Sequence, residues 1–245
     1  MRPAVRDELL RVNRAFYQNL ALSFAATRPR PQPGVVHALA AIPPQASVLD
    51  VGCGHGLSAV ELARRGHRGP YLGLDSSERL IEMARQRLGS PRARFHQVDL
   101  ADPDWRSELA AGGHGPFDRG LAFAVLHHLP GDHLRLRVVN GLRDLLTPAG
   151  RAAVSVWDIP QTDRLRQRLV PWRTIGLDEA DVDPGDVLVD WRHEGRGVRY
   201  VHRFTSEELA DLGSRCGFQV LEEYRSDGQG GRMGLYQIWS PRRTT

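Results

Sequence analysis

A glycine-rich stretch, residues 47–56 with the sequence SVLDVGCGHG, constrains the fold more than any other feature of the chain. The apolar residues VLDV have the pattern of the end of a buried strand, and the run LSAVELARRG that follows has the spacing of an amphipathic helix. Gly52, Gly54 and Gly56 lie between these two segments. Glycine is needed where a turn adopts positive φ or where a ligand approaches bare backbone. The stretch therefore predicts the strand, turn and helix that open a ligand-binding βαβ unit.

Three acidic residues extend this pattern, because each lies at or near the end of a predicted strand. Asp50 precedes the glycines, Asp75 follows the strand in PYLGLDSS, and Asp99 follows the strand in ARFHQVDLAD. A carboxylate at Asp75 can accept hydrogen bonds from both hydroxyl groups of a ribose. A carboxylate at Asp99 can accept one from an adenine amino group. Packing glycines and helix-capping acids are the alternative, but acids after three successive strands favour a nucleoside-binding site.

These motifs resemble those of the class I S-adenosylmethionine-dependent methyltransferases, over residues 46–157. A dinucleotide site fits less well, because the glycine spacing is GxGxG instead of GxGxxG. The resemblance implies an α/β fold with a seven-stranded, mostly parallel sheet and helices on both faces, and S-adenosyl-L-methionine as cofactor. The residues that it implies for cofactor binding are Arg28, Asp50, Gly52, Cys53, Gly54, Gly56, Asp75, Ser76, Asp99, Leu100 and Phe123.

Composition places the chain among ordinary globular proteins, with 245 residues, 41% hydrophobic and 25% charged. This length suits one α/β domain. We divide it into an N-terminal helical arm (1–45), a cofactor-binding core (46–157), a substrate lid (158–204) and a C-terminal helix with two strands (205–245). Its two cysteines form neither a disulfide framework nor a zinc motif. Because we find no leader pattern and no apolar run of membrane length, we predict a cytoplasmic protein with no membrane contact.

Three further segments resemble a narrower family, the tRNA wobble-uridine methyltransferases that esterify 5-carboxymethyluridine. The first is YQNLALSFAATRPRP, in which the matching positions are Tyr17, Ala21, Phe24, Thr27 and Arg28. The other two are GDVLVDW and RYVHRF, within the predicted lid, although Asp190 stands where the family pattern has proline. The likeness implies tRNA as a substrate and, as in eukaryotic relatives, a small zinc-binding activator protein as a partner.

Candidate catalytic residues follow from this chemistry. His127 and His128 come at the end of the predicted fourth strand, where ligands of open α/β sheets bind, and either can orient the substrate or act as a base. A carboxylate acceptor is already ionised near pH 7 and needs no base. Arginines would then hold the anionic acceptor, and Arg28, Arg199 and Arg203 are the candidates. Arg28 can alternatively pair with the carboxylate of the methionine moiety, or be an exposed linker residue.

The net charge of +4 coincides with that of residues 1–35, which hold six arginines and two acids. Such an arm can attract a phosphate backbone, or it can be the solvated face of a helix. Two other functions stay open at this point. A small-molecule O- or N-methyltransferase would use one of the paired histidines as a base, and a cofactor-binding module would have no turnover.

Periodicity and turn signals predict the elements around the cofactor motifs. Apolar steps of three or four residues predict a helix over residues 5–25, and TPAG marks the stop after a helix over residues 133–146. The fifth strand is then RAAVSVWD. Near the end of the chain, TSEELADLGSRCG predicts a capped helix, and FQVLEEYRS and GLYQIWS predict an antiparallel pair of strands.

Overall fold

The computed structural model describes residues 1–159 and 163–242, without the side chains of Glu108, Asp163 and Arg164. The helices are α1 (Pro3–Asn19), α2 (Ala21–Ala26), α3 (Pro33–Ala40), α4 (Leu57–Arg64), α5 (Glu78–Arg87), α6 (Trp105–Ala111), α7 (Asp132–Asp144), α8 (Asp163–Arg166) and α9 (Ser206–Arg215). The strands are β1 (Val48–Val51), β2 (Tyr71–Asp75), β3 (Ala93–Gln97), β4 (Phe117–Phe123), β5 (Leu146–Trp157), β6 (Leu169–Val170), β7 (Asp186–Trp191), β8 (Gly197–His202), β9 (Phe218–Ser226) and β10 (Gly234–Pro241).

Seven of these strands form the central sheet, in the order β3-β2-β1-β4-β5-β10-β9. Strands β1 to β5 pair in parallel, whereas β10 runs antiparallel to both β5 and β9. The predicted seven-stranded, mostly parallel sheet is thus confirmed. The order reverses direction at β1 and β4, so a crevice opens at their carboxyl ends. The glycine turn follows β1 at this crevice.

Two apolar cores cover the two faces of the sheet, as strand alternation requires. Leu49 and Val51 of β1 point to one core, which contains side chains of α6, α7 and α9. Val48 points to the other core, which contains side chains of α3, α4 and α5. Because β1 is buried on both faces, its backbone is held rigidly and the turn that follows it has a fixed position.

The predicted lid contains a second, antiparallel sheet of three strands, in the order β6-β7-β8. Its apolar side chains share a core with α1, formed by Val5, Leu9, Trp172, Leu188 and Tyr200. Asn13 of α1 adds three hydrogen bonds: its side chain donates to the carbonyls of His128 and Tyr200 and accepts from the Tyr200 amide. The N-terminal helix therefore packs as part of the lid.

Two local predictions were wrong in their boundaries. The helix predicted over residues 5–25 is interrupted at Leu20, whose φ of −110° and ψ of 18° end α1 and begin α2. The segment TPAG lies inside β5, which starts at Leu146 beside Phe117. Pro148 has no amide donor, and it lies where the pairing of β4 with β5 shifts register. The helix does end before this segment, at Asp144.

Within the described ranges, no helix combines the length and the apolar character needed to cross a membrane.

Candidate cofactor and acceptor site

The glycine turn after β1 adopts the backbone that the sequence predicts. Gly52 and Gly54 have φ angles of +72° and +55°. A Cβ atom on Gly52 would lie 2.2 Å from Cγ2 of Val125, whereas one on Gly54 would meet no atom within 4 Å. Gly56 has a φ of +82° and precedes the first residue of α4. The backbone of Gly54 consequently faces open space, into which a ligand can approach it.

Asp75 braces this turn with both of its carboxylate oxygens. Oδ2 accepts a hydrogen bond from the Gly54 amide at 2.9 Å, and Oδ1 accepts one from the Ser77 amide at 2.9 Å. Burial raises the pKa of Asp75, and these amide donors oppose that rise by favouring the ionised form. The Ser76 amide is a third donor to this carboxylate. A carboxylate can accept about four hydrogen bonds, so Asp75 can also accept one from a ligand hydroxyl.

Asp50 is almost fully buried at the end of β1, beneath the turn. The hydroxyl of Tyr71 donates a hydrogen bond to its Oδ2. Burial raises the pKa of Asp50 to about 7, and the bond from Tyr71 only partly compensates. Cys53 is buried beside it, and burial raises the pKa of its thiol well above the usual value. The thiol is thus a packing group and not a nucleophile.

A cavity of about 540 Å³ extends from this turn to the lid. The predicted site residues on its wall are Arg28, Asp50, Gly52, Cys53, Gly54, Asp75, Ser76, Asp99, Leu100, Phe123, His128 and Arg199. Three others lie outside it: Gly56, His127 and Arg203. Arg203 is exposed, and its Nε donates to the Gly185 carbonyl at 3.4 Å. Nothing in its position directs Arg203 toward an acceptor in the cavity.

Asp99 stands at the rim of the cavity in an ion pair with Arg14 of α1, at 2.5 Å. The Ala101 amide donates to its Oδ1 at 2.9 Å, which fixes the side chain. Sequence reasoning treated Arg14 only as part of a basic arm. Its pairing with Asp99 depends on how α1 crosses the sheet, and no local pattern encodes that crossing.

Arg28 reaches the cavity wall from the segment after α2. Its guanidinium lies 4.0 Å from the centre of the Phe24 ring, and its Nη1 donates to the Thr27 hydroxyl at 3.0 Å. His55 of the glycine turn contacts the Arg28 carbonyl through Nε2, at 3.2 Å. These contacts bring Arg28 next to the glycine turn, within the same cavity.

Arg199 is buried in the wall on the lid side, with 2% of its surface exposed. Its guanidinium carbon lies 4.7, 4.6 and 5.1 Å from the ring centres of Phe16, Trp157 and Trp191. Among residues 1–159 and 163–242, no atom forms a hydrogen bond with its Nε or Nη1. Burial lowers the pKa of Arg199. Arginine nevertheless stays protonated in proteins, so the guanidinium of Arg199 is a positive charge in the cavity wall.

His128 has both ring nitrogens engaged. Nδ1 lies 2.9 Å from the Tyr200 carbonyl, so it must carry the proton and donate, and Nε2 then accepts from the Tyr17 hydroxyl at 2.8 Å. Burial lowers the pKa of His128 to about 3, and the charge of Arg199 adds to this effect. The imidazole is therefore neutral near pH 7 and has no free lone pair for an acceptor proton.

His127 is fully buried and does not line the cavity, and its ring lies 4.2 Å from that of His128 and 4.8 Å from that of Trp157. Burial lowers the pKa of His127 well below the ordinary value. Neither ring nitrogen has a hydrogen-bond partner in the described part of the chain. Its contacts make it a packing residue behind the wall that Trp157 and His128 form.

Sequence reasoning missed several residues of the lid side of the cavity. Tyr17 matches a family motif, but the motif alone does not identify it as a site residue. The place of Trp157 at the carboxyl end of β5 is the signal that could identify it. Trp191, Arg168 and His193 line the same side. They come from the lid, whose fold the sequence did not predict.

These features fit a bound S-adenosylmethionine. The glycine turn and Asp75 would hold its nucleoside part. The backbone at Gly54 is open, the Asp75 carboxylate can accept from ribose, and Asp99 lies farther along the same wall. The remaining part of the cavity, bounded by Tyr17, His128, Trp157, Trp191 and Arg199, is left for a methyl acceptor; we refer to it as the acceptor end.

Relatives by sequence are methyltransferases. The tRNA (carboxymethyluridine(34)-5-O)-methyltransferase of Schizosaccharomyces pombe is 26% identical over 227 residues, which are 84% of this chain and 88% of that protein. The mouse protein of the same activity is 29% identical over 147 residues, or 59% of this chain. The matched region spans only about 20% of the mouse protein's length.

Solved structures of the same fold include enzymes and an activator complex. The 1,6-didemethyltoxoflavin-N1-methyltransferase of Burkholderia thailandensis is 20% identical, with a TM-score of 0.65 over 99% of this chain and 92% of its own. A Haloferax volcanii chain solved in complex with the Trm112 methyltransferase activator is 15% identical, with a TM-score of 0.66 over 95% of this chain and 98% of its own. Both likenesses are likenesses of fold.

The family model described as a methyltransferase domain matches residues 24–223, which include the glycine turn, the lid sheet and, apart from Tyr17, the residues that bound the acceptor end. The chain therefore belongs to the methyltransferase-domain family and is an S-adenosylmethionine-dependent methyltransferase.

Proposed function

We propose that this enzyme methylates the carboxylate of 5-carboxymethyluridine at the wobble position of tRNA. The observation that carries the proposal is the chemistry of the acceptor end. It combines a buried cation, Arg199, with the aromatic rings of Trp157 and Trp191. Both ring nitrogens of His128, the histidine on the cavity wall, are engaged in hydrogen bonds, so neither is free to act as a base. Such a site suits an acceptor that is anionic, carries a planar ring and has already lost its proton.

S-adenosylmethionine, when bound, supplies the methyl group. A carboxylate oxygen that receives it becomes a methyl ester, with S-adenosylhomocysteine as the second product and no proton to remove. The protein then contributes mainly alignment of the two reactants and exclusion of water. The acceptor end suits both tasks, since Trp191 and Arg199 are almost inaccessible to solvent and the guanidinium of Arg199 lies among three aromatic rings.

The full-length relative in S. pombe supports the same substrate, because its name states this reaction and the match extends over most of both chains. The narrower sequence motifs are placed together by the fold. Tyr17 and Arg28 of the first motif, Trp191 of the second and Arg199 of the third all line one cavity.

Incubation with S-adenosylmethionine carrying a labelled methyl group, and with tRNA containing 5-carboxymethyluridine, tests the proposal. We expect labelled methyl in the tRNA that mild alkali releases as methanol, because a methyl ester is saponified whereas N-methyl and ether groups are not. The same tRNA without the carboxymethyl group is the control, and it should receive no alkali-labile methyl group. Alkali-stable label, or label only in a metabolite extract incubated in parallel, would favour a small-molecule methyltransferase instead.

The rate of methyl transfer should be independent of pH between about 6 and 8. The pKa of His128 is about 3, so the imidazole stays neutral throughout this interval, and the carboxylate acceptor stays ionised. The measurement is a single-turnover rate profile for the wild type and for the variants His128→Gln and His193→Gln, since His193 also lines the cavity. A rate that rises steeply through about pH 6.5 and becomes flat in either variant contradicts the carboxylate acceptor.

The geometry changes the expectation for the basic arm. Arg2, Arg6, Arg11 and Arg14 pair with Asp181, Asp7, Glu8 and Asp99, respectively. Arg30 and Arg168 line the cavity and form no ion pair with any residue in the described ranges. Arg30 and Arg168, rather than the arginines of α1, are then available to phosphate groups of a tRNA.

We therefore expect the double variant Arg30→Gln/Arg168→Gln to weaken tRNA binding and to reduce its salt dependence by about one to two in the slope of log affinity against log salt. The double variant Arg6→Gln/Arg11→Gln changes the net charge equally and serves as the control. Filter binding or fluorescence anisotropy at several salt concentrations gives both slopes. Equal losses in the two variants would mean that only the overall charge matters.

A small activator protein remains part of the proposal. The Haloferax chain of the same fold was solved with the Trm112 activator, and the wobble-uridine resemblance implies a partner of this kind. Co-purification of the tagged chain from its own cells, followed by a methyl-transfer assay with and without the captured protein, tests whether it requires one.

A further inference from the structure

Arg199 is a buried cation surrounded by an aromatic cage, and the needs of core packing alone do not explain why a cation lies there. The cage consists of Phe16 from α1, Trp157 from β5 and Trp191 from β7, with the guanidinium between them. Four separate elements thus meet at one buried cation, since Arg199 itself is on β8. A cation is an expensive group to bury, because it loses its water.

The usual compensation for a buried cation is absent from its described surroundings. Within residues 1–159 and 163–242, no carboxylate forms an ion pair with Arg199, and its Nε and Nη1 lack hydrogen-bond partners. The neighbouring charge is that of Arg168, which has the same sign. Ring faces attract a guanidinium, but they accept no strong hydrogen bonds from it. The site therefore has an excess of positive charge and of N–H donors.

Tyr17 accounts for one contact of the guanidinium. Its hydroxyl donates to Nε2 of His128, so its oxygen is left to accept from Arg199. His128 is in turn fixed by the Tyr200 carbonyl. The contacts from Tyr200 through His128 and Tyr17 orient the guanidinium of Arg199, which lines the cavity. A group entering from the cavity can supply the negative charge that the surrounding protein does not.

We propose that Arg199 is the binding site for the carboxylate of the methyl acceptor, with the cage holding the guanidinium in place before the acceptor arrives. This inference rests on the proposed function, and it selects one residue among the arginines Arg28, Arg199 and Arg203. A carboxylate is the matching ligand, because it neutralises the charge and accepts from a guanidinium in a defined geometry.

The first test measures binding of a plain carboxylate. Trp157 and Trp191 lie beside Arg199, so acetate should change the tryptophan fluorescence in a saturable manner, whereas acetamide and chloride at equal ionic strength should not. We expect the response to acetate to weaken at least tenfold in Arg199→Met and less in Arg199→Lys, which keeps the charge. The control variant is Arg196→Met, an exposed arginine on the turn of the same hairpin, outside the cavity.

The second test separates a binding role from a structural one. A guanidinium that only supports the fold should lower the Tm when it is removed. A guanidinium kept for an incoming anion should not, because its removal relieves an uncompensated burial. We expect Arg199→Met to keep or raise the Tm, to bind S-adenosylmethionine normally, and to lose about 100-fold or more in kcat/KM for carboxymethyluridine tRNA.

The outcomes for this site and for the proposed function are distinct. Wild-type methylation of tRNA that persists in Arg199→Met overturns the anion site and leaves the function. A wild type that does not methylate tRNA, but responds to acetate through Arg199, overturns the function and leaves the anion site. An Arg199→Met variant that fails to fold, or an acetate response that is unchanged in it, also overturns the site.

Discussion

Gly54→Ala is expected to weaken S-adenosylmethionine binding about 100-fold while the protein stays folded. The φ of Gly54 is +55°, so alanine costs about 1 kcal/mol of backbone strain. The added methyl group meets no protein atom within 4 Å, and it projects instead into space beside the cavity wall. The loss of affinity comes from the overlap between this methyl group and the ligand. Isothermal titration calorimetry measures the affinity, and thermal unfolding measures the stability.

The matched control is Gly66→Ala. Gly66 also has a positive φ, of +82°, and a Cβ atom there would again meet nothing within 4 Å. It lies on the exposed segment after α4, outside the cavity. The two variants should lose similar stability, but only Gly54→Ala should lose cofactor affinity. Equal affinities in both variants would show that the ligand does not approach the turn.

Asp75→Asn is expected to weaken the cofactor by a similar factor, about 100-fold. Asp75 accepts the Gly54 and Ser77 amides with different oxygens. An asparagine has one acceptor oxygen, so one of these amides must face an NH₂ group and lose its bond. The change also removes the negative charge available to ribose hydroxyls. The measurement is the Kd for S-adenosylhomocysteine, which avoids turnover.

Asp118→Asn provides a control with the same chemistry at a different place. Asp118 accepts the amide and the hydroxyl of Ser47, both at 2.9 Å and both with Oδ2. A single amide oxygen can accept both bonds, so asparagine preserves them. Asp118 lies near the start of β4, outside the cavity. A cofactor Kd that increases equally in both variants would mean that Asp75 acts only through general stability.

The parts of the site that the sequence predicted are those that depend on local backbone. The glycine turn, the strand before it and the acid at the end of β2 are joined by short connections, and each has a residue type that the backbone or the ligand requires. The parallel order of β1 and β2 then brings Asp75 to Gly54 automatically. The residue pattern was therefore sufficient to predict that Gly54 and Asp75 lie together, because adjacent parallel strands end at the same edge of the sheet.

The states of the candidate catalytic residues could not be predicted, because they depend on contacts between distant segments. His128 is neutral and engaged because Tyr17 and the Tyr200 carbonyl approach it from α1 and β8. Arg199 and Arg203 are four residues apart in one motif, yet the first is buried in the cavity wall and the second is exposed to solvent. Strand alternation alone does not separate them, since Arg203 comes just after β8 ends.

The lid was predicted as an insertion but not as a sheet with α1 as part of its core. Its strands are short, and β6 has only two residues, too few for a periodic pattern. The interruption of the predicted helix at Leu20 has a related origin. Side chains on either side of Leu20 pack against different partners, since Phe16 contacts the ring of Trp191 whereas Ser23 bonds to the His193 carbonyl.

The packing of α1 against β8 makes specificity for the acceptor a property of two segments that are far apart in the sequence. Residues 1–26 and 163–204 share an apolar core and the two hydrogen bonds between Asn13 and the Tyr200 backbone, while the cofactor motifs between them belong to a different part of the fold. A chimaera that receives only the lid of another methyltransferase would place foreign strands on the wrong helix. Transplanting a new acceptor preference would require both segments to be exchanged together, as a discontinuous module that His128 and Trp157 of the intervening core complete.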